Sequence, residues 1–407
     1  MLAPERRTRA DILTAVAIAA LVAIATVVVV LTSDVRGTHS QTASRTVAPP
    51  ASNEPVPTQV KELWHAPDGA AMRSLAVGGV AVTADGGTVS GRNPRTGDEI
   101  WKYQRDLPLC AVEVQFGTVI ATYRDERGCS QTTLLNAENG SRVAARSSYM
   151  DKQITLAPDG TYVLALGDDR LEMWRSDLVR TLEYGYVDAP VNPHTQPRSD
   201  CRLLSAGSAP SRVAVLERCP KDNADRLSIL NPAPKDGTAP EEYSSHVLNE
   251  PGGAVDGARV VAVSDTRIAL YLPATQTTAP MLTVYDVNGN LLATHQVPAF
   301  ANTAAVARLS TAFFVYTGDN LIALNPTTLD PQWEAQHVLG TAAMMSGQLV
   351  VPVPDGLGIL DPATGAQISR IPLQRSDYHN EPITLGVSGT VFLERRGTQV
   401  YGVGAAS

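Results

Sequence analysis

Residues 80–103 read VAVTADGGTVSGRNPRTGDEIWKY. An apolar strand runs into Asp85-Gly86-Gly87, and a second strand ends at Asn93-Pro94. The chain turns again through Thr96-Gly97-Asp98, and Glu99-Ile100-Trp101-Lys102 closes the unit. Alternating apolar and polar residues suit strands packed between neighbours. The glycines supply the positive φ that tight hairpins need. A helix is a poor reading, because Gly or Pro interrupts almost every window of a dozen residues.

The same pattern recurs clearly at 119–145, 313–335 and 349–371, and more loosely at 162–184, 213–237 and 268–297. A truncated copy, TVFLERRGTQVYGV, occupies 390–403. Eight such units predict an all-β, eight-bladed β-propeller, with seven as the alternative count because the fourth and fifth units are irregular. The last unit lacks its outer strand. Lys61-Glu62-Leu63-Trp64-His65-Ala66 stands alone before the first full unit and places Trp64 as Trp101 and Trp333 are placed. This predicts ring closure, with the strand of Trp64 joining the sheet that holds Val400 and removing an exposed edge.

The phrase from Asn93 to Trp101 resembles the (D/N)-x-x-T-G-x-x-x-W repeat of the pyrroloquinoline-quinone-like propellers, and Asp361-Pro362-Ala363-Thr364-Gly365 repeats its first half. The resemblance covers residues 60–404, strongly in three or four units. It implies a quinoprotein-like fold, shared by alcohol dehydrogenases and by the propeller lipoprotein of the outer-membrane barrel-assembly machinery. Alanine- and valine-rich versions with a single anchor look like actinobacterial envelope proteins.

Ahead of the repeats, Arg6, Arg7 and Arg9 precede an uncharged apolar run, Ile12 to Leu31. Twenty residues of helix span about 30 Å, the thickness of a bilayer core. The basic flank predicts a cytoplasmic N-terminus and an extracytoplasmic propeller at the cell membrane. A cleaved signal peptide is the rival, but the run is longer than a usual signal and ends in Val27-Val28-Val29-Val30-Leu31 without a small-x-small site. The expected organisation is a tail over 1–11, a transmembrane helix over 12–31, a disordered linker over 32–58 and a propeller over 59–407.

The four cysteines form two pairs, Cys110 with Cys129 and Cys201 with Cys219. In each pair the first sits where an inner strand begins and the second in the next hairpin but one. Each pair is predicted to bridge within its blade, which suits an oxidising compartment. The seven His are scattered and no C-x₂-C occurs, so no metal site is expected. Asp168-Asp169 reads as a turn. A net charge of −8 without a basic cluster argues against nucleic acid.

A quinone-dependent dehydrogenase of the resembled family would need a cofactor pocket, calcium ligands and a catalytic Asp, and the alcohol dehydrogenases carry adjacent cysteines. No two cysteines here are adjacent, and G-x-S-x-G, H-E-x-x-H and phosphate loops are missing from the sequence. The expectation is therefore no cofactor, no catalytic residue and no enzyme. The longest loops share one rim, with Tyr186, Asp188, His194, Arg198, Lys221, Tyr378 and His379 as candidate contacts. The reading is a membrane-anchored scaffold that binds envelope proteins or a cell-wall component. The competing reading is a quinone-dependent dehydrogenase or a carbohydrate-binding sensor.

Overall fold

The computed structural model describes residues 8–32, 34–44, 54–310 and 312–405. Arg6 and Arg7 of the expected tail, and 45–53 of the expected linker, lie outside them. One apolar helix, Arg9–Thr32, precedes an all-β domain. The helix starts with a reciprocal cap: Asp11 N–H donates to Thr8 Oγ1 (3.3 Å) and Thr8 N–H to the Asp11 carboxylate (2.8 Å). Its Arg9–Leu31 stretch has a mean hydropathy of 2.9 and no side of it is buried. Such a helix is long and apolar enough to cross a bilayer, a property that a signal sequence shares.

Eight antiparallel sheets follow one another in chain order, which is the eight-bladed propeller. Blade 1 runs Leu75–Val77, Val80–Asp85, Thr88–Arg92, Glu99–Arg105; blade 4 runs Arg202–Ala209, Arg212–Arg218, Arg226–Leu230, Glu242–Val247. The second and third strands of each blade are buried almost throughout. Outer strands such as Arg142–Ser147 alternate instead, because one side meets solvent.

Blade 8 is assembled from both ends of the propeller. Ile383–Ser388, Val391–Arg396 and Gln399–Gly404 are completed by Lys61–Pro67. The register pairs Trp64 with Gly402 and Ala66 with Val400, so Trp64 and Val400 share the closing sheet as expected.

The blades are joined by one repeated device. The side chain of Asn93 accepts from the backbone N–H of Arg95 (2.9 Å) and Thr96 (3.2 Å), and Asp361 does the same for Ala363 and Thr364. This is why Asn or Asp begins the turn. Gly97 then takes φ +76°, and Trp64 of the preceding blade lies flat on it and donates its indole N–H to Pro94 O (2.7 Å). Trp101 meets Gly140 and donates to Ala137 O (2.7 Å), and Trp333 meets Gly365 and donates to Pro362 O (3.1 Å). At other junctions Arg146 reaches Leu178 O (2.9 Å), Thr181 reaches Pro232 O (2.7 Å) and His295 reaches Asp330 (2.7 Å). The tryptophan motif is thus one version of a joint that other donors also make.

The expectation of a disordered linker across 32–58 is corrected in part. Thr38–Gln41 forms a fifth strand on blade 1, pairing Thr38 with Arg105 and Gln41 with Lys102. Ala43 N–H donates to Asn139 O (3.0 Å), and Val56 and Val60 pack on the core between blades 7 and 8. The physical reason is edge capping: the unpaired N–H and C=O groups of the outer strand Glu99–Arg105 accept any extended segment nearby. Composition rich in Ser and Thr does not prevent this, because the bonds are backbone bonds.

At the seam between blades 8 and 1, Asp68 is wholly buried. It accepts from Ala84 N–H (2.8 Å) and faces Arg395 at 3.3 Å. Burial pushes its carboxyl up to about 7, against the bond from Ala84 and the Arg395 charge. Because the folded value lies above the ordinary 3.8, the folded chain holds more protons between those two values. Stability is therefore greatest at low pH on this account and falls as pH rises from about 4 to about 7. At about 1.4 kcal/mol per pH unit the loss reaches up to about 4 kcal/mol. Asp68→Asn is expected to flatten this dependence, so that urea midpoints at pH 5 and pH 8 converge; an unchanged pH profile in the variant would assign the dependence elsewhere.

Candidate functional site

Connections between blades and the hairpins joining second to third strands emerge on one face, the rim, and the Asx–Gly turns of the joint lie on the other. Both disulfides are on the rim side. Cys110 and Cys129 tie the inner strand of blade 2 to its third strand, with Cα atoms 5.9 Å apart. Cys201 and Cys219 tie the start of blade 4 to its second hairpin, with Cα atoms 4.2 Å apart. Among the described residues Cys201, Glu217 and Cys219 are close enough to share a cation. Both sulfurs are in the crosslink, however, and Glu217 is held by Arg198, so the group is not a ligand set.

The rim loops are anchored by buried ion pairs. In the connection into blade 4, Arg198 donates to Glu217 (2.8 Å), a residue of the second strand with no exposed surface. Tyr184 O–H (2.7 Å) and Ser228 O–H (2.6 Å) also donate to that carboxylate. The connection into blade 8 repeats the arrangement, with Arg375 donating twice to Glu394 at 2.9 Å. Arg396 joins from the same strand and continues to Glu62 (2.6 Å). The two pairs occupy equivalent positions, and Arg precedes Glu by nineteen residues in both. In blade 3, burial would raise the Glu172 carboxyl, but Arg146 and Arg170 hold it below the ordinary value.

These contacts redistribute the candidate rim residues. Arg198 turns inward and serves the ion pair. Tyr186 is exposed, stands edge-on to Tyr149 and donates to Asp188 (3.3 Å). His194 is exposed with φ +63°, and Lys221 is exposed on the neighbouring hairpin. Tyr378 lies beside Arg375, and His379 is exposed with its N–H on Glu381 (2.8 Å). The first five belong to blades 3 and 4. Tyr378 and His379 belong to the connection between blades 7 and 8, across the ring, so the seven do not converge. Asp168 is exposed in its hairpin and faces Arg202 at 3.6 Å, while Asp169 N–H donates to Asp151 (3.0 Å).

At the rim-side mouth of the central channel, over blades 2 to 5, is a cavity of about 850 Å³. Its charged lining is Arg124, Lys152, Arg218 and Arg259 against Asp168 and Asp256. The cations come from strand ends and loops of four different blades. No local motif in the sequence marks them; only the ring brings them together.

No protein-family model matches the chain, and no curated protein is similar to it in sequence. Solved structures do share its shape. Sqt1 of Saccharomyces cerevisiae superposes with a TM-score of 0.53 at 9% identity, covering 88% of this chain and 100% of that one. The dihydro-heme d1 dehydrogenase NirN, in complex with DHE, gives 0.50 at 13% identity, covering 82% of this chain and 73% of that one. At such identities the likeness is one of fold, and the fold is the β-propeller.

Proposed function

We propose that the chain is a single-pass, extracytoplasmic membrane protein whose propeller is a non-enzymatic scaffold, a divergent member of the quinoprotein-like group, presenting its rim face to membrane-embedded partners of the envelope. The observation that carries this reading is the strand Thr38–Gln41. Thr38 pairs with Arg105 at the rim end of the outer strand of blade 1, and Gly37 O accepts from Asp106 N–H at 2.8 Å. Five residues lie between Thr32 and Thr38, and the six steps from one to the other reach at most about 22 Å even when extended. With the helix in a bilayer, the rim edge of blade 1 lies within that distance of the lipid surface. A long flexible tether would leave the face undetermined; this short one supports the rim.

Two further features agree. The disulfides support an oxidising compartment. Met72, Tyr149, Tyr186 and Val191 are exposed on rim loops, where tyrosines and apolar side chains suit a headgroup layer. The test is photo-crosslinking in intact cells, from probes at Tyr186, Lys221 and His379 on the rim and at Arg95 and Thr327 on the opposite face. The rim positions are expected to capture one shared set of membrane proteins and the opposite face to miss it. Equal capture from both faces, or none from the rim, would rule out this reading.

A further inference from the structure

The rim cavity carries more positive charge than its surroundings neutralise. Asp256 is matched by Arg218 at 2.7 Å, and Asp168 faces Arg202 at 3.6 Å. Arg218 is further occupied by Asp225 (2.7 Å). Arg124, Lys152 and Arg259, by contrast, form no ion pair with a carboxylate among the described residues. Arg124 and Lys152 stand together at one end, where an Arg124 guanidinium N–H reaches Lys152 O at 3.5 Å. Arg259 stands at the other end, half-buried, donating to Gly257 O (3.3 Å) and lying over the rings of Tyr271 and Phe300. In a chain of net charge −8, uncompensated cations around one concavity need an account.

Apolar surface shares the same space. The half-buried Leu109 and Leu204 and the exposed Met72 line it. Its volume falls among those of small-molecule sites, about 300–1,000 Å³. A free inorganic anion would use the cations and waste the leucines, and a neutral lipid would do the reverse.

We propose that the cavity binds a phosphate-bearing anionic amphiphile from the leaflet that the rim faces, with the phosphate between Arg124 and Lys152 and the apolar part along Leu109, Leu204 and Met72. A guanidinium grips phosphate through paired N–H donors, and a concave, partly apolar wall strengthens the attraction over that in open water. The source of the ligand rests on the membrane-facing orientation proposed above; the binding chemistry rests on the cavity alone.

The test uses the full chain in an uncharged maltoside detergent, titrated calorimetrically with short-chain phosphatidylglycerol, phosphatidylcholine of the same chain length and inorganic phosphate. Phosphatidylglycerol is expected to saturate one site per chain, and the other two to bind at least about tenfold more weakly. Arg124→Gln combined with Lys152→Gln is expected to weaken phosphatidylglycerol at least about tenfold, while Arg95→Gln on the opposite face leaves it unchanged. Both cavity residues are exposed, so the thermal midpoint should not move and checks the fold. Unaltered binding by the double variant would overturn the site, as would phosphatidylcholine binding as tightly as phosphatidylglycerol. Inorganic phosphate binding as tightly would overturn the amphiphile. The titration needs no cellular partner, so saturable binding without rim crosslinks would sink only the scaffold reading, and rim crosslinks without binding only this inference.

Discussion

Replacing Glu394 with alanine is expected to destabilise the propeller by about 3–5 kcal/mol, read as a lowered urea midpoint. The carboxylate has no exposed surface and receives both Arg375 and Arg396, whose side chains are 3% and 1% exposed. Removing it leaves two guanidiniums in the interior with backbone carbonyls and a single carboxylate, Glu62, at the edge. An isolated buried charge costs far more than the intact pair contributes, so the loss is mainly the stranded cations. Adding Arg375→Met to Glu394→Ala should therefore recover part of the stability, a non-additivity that a simple packing defect would not show. Glu217→Ala in blade 4 should cost less, because Arg198 keeps a second carboxylate, Glu242, and is less deeply buried. A destabilisation below about 1 kcal/mol for Glu394→Ala would mean that this carboxylate is not the anchor of its rim loop.

Trp101→Ala is expected to cost about 3–5 kcal/mol through lost burial and the cavity left behind. Trp101 has no exposed surface, covers Gly140 of the next blade and bonds to Ala137 O. The partner side of the joint gives an independent check. A Cβ on Gly140 would stand 2.7 Å from the indole, at φ +73°, so Gly140→Ala combines overpacking with left-handed strain. In the Trp101→Ala background the indole part of the clash is gone and only the contact with the Cβ of residue 101 (2.8 Å) and the strain remain, so the two losses should add less than fully. Additive losses would show that the two residues do not form one joint.

The joint also explains which parts of the fold were legible in the sequence. Where Trp64, Trp101 and Trp333 make it, the Asx–Gly–Trp spacing stands out. Where Arg146, Thr181 or His295 makes it, the same geometry hides behind residues common anywhere on a surface. Leu329 even takes the positive φ usually given to glycine, at +61°. Ring closure was legible because an orphan strand at one end and a missing strand at the other are complementary facts. The disulfides were legible because equivalent placement in two blades is a local pattern.

The site was less legible, for a geometrical reason. Rim loops could be recognised as long, but length does not tell inward from outward side chains. Arg198 looked like a surface contact and is an internal anchor, because only the fold places Glu217 beneath it. Arg124, Lys152 and Arg259 belong to different blades, and only the ring brings the first two together and sets the third across the channel mouth from them. The strand Thr38–Gln41 escaped notice because polar sequence predicts no core, whereas an open strand edge needs only backbone.

Hydrogen–deuterium exchange of the full chain, followed on the peptide covering Lys61–Pro67, tests the closed ring most directly. The account predicts that the amides of Lys61–Pro67 that face Gln399–Gly404 are protected, about every second residue as in any outer strand, while those facing away exchange freely. Exchange of Lys61–Pro67 at the rate of an unpaired chain, beside a protected Gln399–Gly404, would mean that the ring is open and that the rim built upon it is wrong.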